Sequence, residues 1–263
     1  MNQIFSFKRF GMLFKKHTVE NYKSYAMMLF VLVGIMTAVI GLVNYRAFEP
    51  MNMKLQIAFF IGFFLAAGGI FTSNIFNNLG DKRRTIASLT LPASSFEKFL
   101  VGWVYSFVFF QIVFIAVYYA IVWTVIELGH WPTGTAPILD VFSTEYRFYT
   151  TFVVFAFLHG IIIYGAIFFK KMHFIKTAFS FFIVLMLIWF INDLVLELTT
   201  GQAISHNPPF TGMAFSYNVT ARSSDYANID LTPYPFNWIL TLFGTLGVLF
   251  WFAAYFRLKE KKV

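Results

Sequence analysis

The chain has 263 residues, is 59% hydrophobic and 12% charged, and carries a formal net charge of +8. A soluble domain has about 25% charge, so this composition excludes one. The chain has no cysteine, which excludes disulfides, thiol nucleophiles and cysteine-ligated metal.

The first 24 residues read as a basic amphipathic helix. Ile4, Phe7, Phe10, Leu13 and Phe14 share one side, and Lys8, Arg9, Lys15 and Lys16 the other. Such a helix suits the inner headgroup layer, and the same charges serve as a topology anchor. A cleavable signal peptide is not expected, because its short apolar stretch follows the basic residues at once.

Six apolar runs follow: Tyr25–Val43, Leu55–Phe76, Phe99–Glu127, Thr150–Phe169, Phe174–Leu196 and Trp238–Phe256. Each approaches or exceeds the roughly 20 residues that cross ~30 Å of hydrocarbon. Basic residues sort by loop. Lys8, Arg9, Lys15, Lys16 and Lys23 precede the first run. Lys82, Arg83, Arg84 and Lys98 lie between the second and third. Lys170, Lys171 and Lys176 lie between the fourth and fifth, and Arg257, Lys259, Lys261 and Lys262 follow the sixth. Only Arg46, Lys54, Arg147 and Arg222 fall in the remaining loops. Cytoplasmic loops retain Lys and Arg, so the pattern predicts an all-α membrane protein of six spans with both termini cytoplasmic. The expected organisation is an interfacial helix over residues 1–24, a single transmembrane domain over 25–256 and a tail over 257–263. The net charge then reflects anionic headgroups, not nucleic acid.

The second run holds Gly62, Ala66, Ala67, Gly68, Gly69 and Ser73, small residues that let helix backbones approach closely in lipid. The loop after it reads NNLGDKRRTIASLTLPASSFE over 77–97. Ile86 and Leu89 are three apart beside a basic run, which predicts a short amphipathic helix ended by Pro92. A solvated loop made basic by topology is the competing reading. Ser94-x-x-Glu97 is a capping box that starts the third span. That span is long for a bilayer and must tilt or project. Pro132 and Pro137 break the external loop that follows. The long segment Thr199–Asn237 carries four prolines, and its semi-apolar stretch Phe210–Tyr217 fits a re-entrant or interfacial helix.

Catalytic patterns are missing. No G-x-x-x-x-G-K-[ST], H-E-x-x-H or G-x-S-x-G occurs, and no two histidines have i, i+4 spacing. Two ionisable residues lie in apolar runs. His159, at mid-span, is either a neutral imidazole bonded to a neighbouring helix or a proton relay. Asp193, near the outer end of the fifth span, is either a solvated carboxylate or a pathway residue. Glu127 poses the same choice at the end of the third span. An ion- or proton-coupled carrier or channel using His159 and Asp193 is therefore an alternative function. The 37 phenylalanines suit lipid-facing helices.

The run Ile70-Phe71-Thr72-Ser73, Phe76, then Leu89-Thr90-Leu91-Pro92-Ala93-Ser94 and Glu97-Lys98-Phe99-Leu100 resembles bacterial type-2 permeases of ABC transporters. The six-span plan is similar to theirs along the whole chain. The resemblance implies a non-catalytic permease subunit of an exporter in a bacterial inner membrane. It implies a coupling helix within Asp81–Leu91 (Asp81, Lys82, Arg83, Arg84, Ile86, Leu89, Leu91) that contacts a separate ATPase. It also implies a second permease subunit, homo- or heterodimeric, with ATP bound only by the partner. No cofactor or metal is expected in this chain.

Overall fold

In a hydrocarbon environment every backbone N–H and C=O of an apolar segment must be satisfied within the segment, which makes these runs helices. The computed structural model describes residues 5–45, 51–75, 93–128, 137–143, 146–169, 172–200, 213–220, 223–229 and 235–260. Among the described residues six helices are long and apolar enough to cross a membrane: α1 (Phe7–Tyr45), α2 (Met53–Ile75), α3 (Ser95–Leu128), α4 (Tyr149–Phe168), α5 (His173–Thr200) and α6 (Pro235–Glu260). This is a multi-pass membrane architecture.

The N-terminal stretch and the first span run on without interruption. α1 is one helix of 39 residues, about 58 Å long at 1.5 Å per residue. The polar stretch His17–Ser24 has no Pro or Gly to end it. Lys16 and Glu20 pair at 3.6 Å, and the Asn21 amide donates to the His17 carbonyl at 2.9 Å. The apolar face at Phe10, Leu13 and Phe14 is turned against the protein, where it packs on the cluster around Tyr105.

α2 is started by Asn52, whose Oδ1 accepts from Leu55 N at 2.9 Å. α3 begins with the expected capping box: Ser94 Oγ accepts from Glu97 N at 3.1 Å, and Glu97 Oε2 accepts from Ser94 N at 2.8 Å. A π-helical turn, Val104–Phe109, interrupts α3.

A departure lies between α5 and α6. Of the stretch 210–217, where a re-entrant or interfacial helix is expected, residues 213–217 are described, and they lie in an antiparallel hairpin, β1 (Met213–Thr220) with β2 (Ser223–Ile229), pairing Met213 with Ile229 and Tyr217 with Asp225. Aromatic and β-branched residues alternate with small or polar ones through Phe215, Tyr217 and Val219. That period of two is a strand signal and defeats a helical stripe.

Two clusters form the interior. One joins Met36, Ile40, Phe60, Phe64, Phe114, Tyr118, Phe148 and Phe155; the other joins Ile75, Phe99, Tyr105, Ile163, Ile167 and Leu258. The phenylalanines therefore divide: part of the set builds an aromatic core, while α5 shows Phe179, Phe182 and Phe190 outward. α4 and α6 pack most tightly. A Cβ on Gly160 would lie 2.8 Å from the Gly247 carbonyl oxygen, and one on Gly247 would lie 3.1 Å from the Phe157 backbone. In α2, Gly68 lies under the Phe155 and Phe110 rings and Gly69 faces Ile162, whereas Gly62 has open space. The small residues of α2 thus serve contacts within this chain at Gly68 and Gly69. α5 is peripheral. It docks through its first turns, with Phe174 near Gly69 and Thr177 against Gly165.

Candidate functional site

The expected partner-contact residues Asp81, Lys82, Arg83, Arg84, Ile86, Leu89 and Leu91 lie outside the described residues. The two helix ends that bracket them are described, and both are fixed. Ile75 is buried in the second cluster. On the other side the Glu97 carboxylate is fully buried and gathers four donors. Its Oε1 accepts from Ser6 N at 2.8 Å, Arg9 Nη2 at 3.1 Å and Arg9 Nε at 3.3 Å; its Oε2 accepts from Ser94 N. A buried carboxylate is costly unless paired and hydrogen-bonded, and this set meets that need in its ionised form. The arrangement ties residues 88 and 91 positions apart, the start of α1 to the start of α3.

Aromatic contacts extend the junction. Phe5 meets Phe96 at 5.9 Å between ring centroids, and Phe96 meets Tyr255 of α6 at 5.9 Å. Farther along, Phe14 stacks on Tyr105 at 4.8 Å, and the Tyr105 hydroxyl is hydrogen-bonded to Thr18. His17 Nε2 bonds the Tyr25 hydroxyl at 2.6 Å. α1 and α3 also meet near their other ends, where the Asn44 amide reaches the Val125 carbonyl at 3.4 Å.

His159 is fully buried and joins three helices. Trp251 Nε1 of α6 lies 2.9 Å from His159 Nδ1, and Ser106 Oγ of α3 lies 2.8 Å from Nε2. An indole N–H can only donate, so Nδ1 must accept and the proton sits on Nε2. Nε2–H then donates to Ser106, whose own hydroxyl donates to the Gly102 carbonyl at 2.8 Å. Every proton in the chain has an acceptor, and a second proton on the imidazole would sacrifice the Trp251 bond. Ser106 sits within the π-helical turn. Such turns occur mostly as single insertions, frequently at functional sites.

Asp193 is half-buried on α5, and none of the hydrogen bonds of His159 reaches it. The structure does not bring the two together. Glu127 is exposed at the end of α3.

At the end of the bundle opposite Glu97, fully buried Gln56 holds the segment 137–141. Its amide donates to the Met51 and Pro137 carbonyls at 3.1 and 3.0 Å, and its Oε1 accepts from Leu139 N at 2.9 Å. Tyr118 OH donates to the Gln56 carbonyl at 2.6 Å. Sequence reasoning singled out His159 and the Ser94–Glu97 cap. It missed Ser6, Arg9, Gln56, Ser106 and Trp251. The available signal for Gln56 and Ser106 was a polar side chain inside an apolar run.

No protein-family model matches the chain, and comparison with curated proteins gives no match.

Proposed function

We propose that this chain is a non-catalytic permease subunit of an ATP-driven exporter, working with a separate ATPase and a second permease subunit. Both termini and the loops 77–97 and 170–173 face the cytoplasm, and the membrane is the bacterial inner membrane. The loop 77–97 carries the ATPase contact through Asp81, Lys82, Arg83, Arg84, Ile86, Leu89 and Leu91. The N-terminal stretch of α1 runs along the inner headgroup layer or just beneath it.

The observation that carries the reading is the mounting of that loop. A basic segment of about twenty residues leaves the buried end of α2 and returns to a helix start whose buried Glu97 carboxylate is bonded to Ser6 and Arg9. A loop hung between two fixed helix ends can pass a push from a soluble partner into the membrane. The sorting of Lys and Arg between alternate loops supports its cytoplasmic side. The alternative, a carrier run by His159 and Asp193, gains no support from the bonds of His159, whose two nitrogens are engaged by Ser106 and Trp251.

Alanine at Lys82, Arg83 and Arg84 together is the test. The expected result is loss of partner-driven transport with intact, folded spans. Transport at the wild-type rate in this variant contradicts the proposal.

A further inference from the structure

Glu97 does more than cap α3. A capping box needs only Ser94 and Glu97, and it leaves the second carboxylate oxygen free for solvent. Here that oxygen is buried and receives the backbone N–H of Ser6 and two nitrogens of Arg9, all from the start of α1. The same carboxylate therefore holds Ser94, just before α3, and the start of a different helix. The side-chain exposure is 0% for Glu97 and 32% for Arg9, so water competes at the arginine but not at the carboxylate. From this junction α1 stays in contact with α3 through Phe14, Thr18 and Asn44.

We propose that Glu97 is a transmission residue: it makes the start of α1 move as one body with Ser94 and the start of α3. This rests on the permease reading, because it supposes a partner that displaces the loop. A push on the loop then reaches two spanning helices, one in sequence with it and one joined only through the carboxylate. Ser94 shares the cap but makes no contact with α1 that the transmission requires. It separates the two roles.

The experiment uses the full complex purified from its native host and reads transport per ATP hydrolysed. E97Q loses the charge and one acceptor, and R9Q loses the paired cation. Both are expected to lower transport per ATP by about tenfold, a usual size for coupling between sites, while hydrolysis continues. S94A removes the Ser94 hydroxyl cap alone and is expected to leave the ratio unchanged. The chain lacks cysteine, so F5C/F96C added to E97Q gives a clean pair for a short, reducible thiol cross-linker. Cross-linking is expected to restore the ratio, and reduction to abolish it again. An unchanged ratio in E97Q and R9Q overturns the inference alone. So does an equal loss in S94A, or a cross-link that forms without rescue. A wild-type complex with no ATP-driven transport removes the permease reading and this inference with it.

Discussion

The indole nitrogen of Trp251 and Nδ1 of His159 lie 2.9 Å apart in the middle of the bundle, and the donor-only indole fixes the imidazole's tautomer. The pair bridges α4 and α6 where Gly160 and Gly247 already bring the backbones together. Ser106 adds α3 through the other nitrogen. A residue that reads in sequence as a candidate relay is here a junction of three helices.

Trp251→Phe keeps most of the ring volume and removes the N–H, leaving Nδ1 without its donor. The expected cost is about 1–3 kcal/mol, the usual penalty for an unsatisfied buried polar atom. Ser106→Ala should cost a similar or smaller amount. The Trp251→Phe/His159→Phe double variant should be less destabilised than the two single losses added together, because they share one bond. Thermal unfolding in detergent measures all of these. Additive losses contradict the junction.

The α4–α6 crossing is tight at Gly247, where a Cβ would meet the Phe157 backbone at 3.1 Å and a branched side chain would crowd it further. Gly247→Val is expected to destabilise by about 1–3 kcal/mol, as overpacking usually does. Gly62→Ala, which meets open space, should be neutral or slightly stabilising. Melting temperatures of the two variants in the same detergent test this contrast.

Gln56→Leu keeps the volume but strips the amide that holds residues 137–139. In the cysteine-free chain, a cysteine at Leu139 reports on this directly. Leu139 is fully buried, so Leu139→Cys should react slowly with a maleimide. Adding Gln56→Leu should raise the rate several-fold, a shift that local opening of about 1 kcal/mol produces. Equal rates in the two backgrounds contradict the latch.

Single cysteines also test the proposed sidedness. Lys8→Cys and Lys262→Cys should be labelled only from the cytoplasmic face, and Thr135→Cys only from the opposite face. The asymmetry of Lys and Arg predicts this order. Labelling of Lys8→Cys from outside contradicts the orientation.

The helices were legible because membrane insertion writes itself in length and composition. Among the described residues each of the six expected runs coincides with a helix, and only Phe169 of the fourth run falls outside, by one residue. The Ser94–Glu97 cap was legible because its partners are three residues apart. The continuity of α1 was not, since the change from an amphipathic to a wholly apolar pattern near residue 24 does not say whether the two stretches are one helix. The hairpin is less legible because the stretch is both semi-apolar, which suits a short interfacial helix, and alternating at Phe215, Tyr217 and Val219, which suits a strand. Arg9 with Glu97, and His159 with Ser106 and Trp251, join residues 53 to 92 positions apart. No local pattern marks such pairs. Nor does an apolar run announce a π-helical turn.

The most direct measurement is purification of the tagged chain from its native host in mild detergent, with mass identification of what accompanies it and an ATPase assay on the eluate. The permease reading predicts a stoichiometric partner bearing a phosphate loop, with ATP hydrolysis and loss of that partner when residues 81–91 are disrupted. A chain that purifies alone, with no associated ATPase under conditions that preserve its fold, contradicts it.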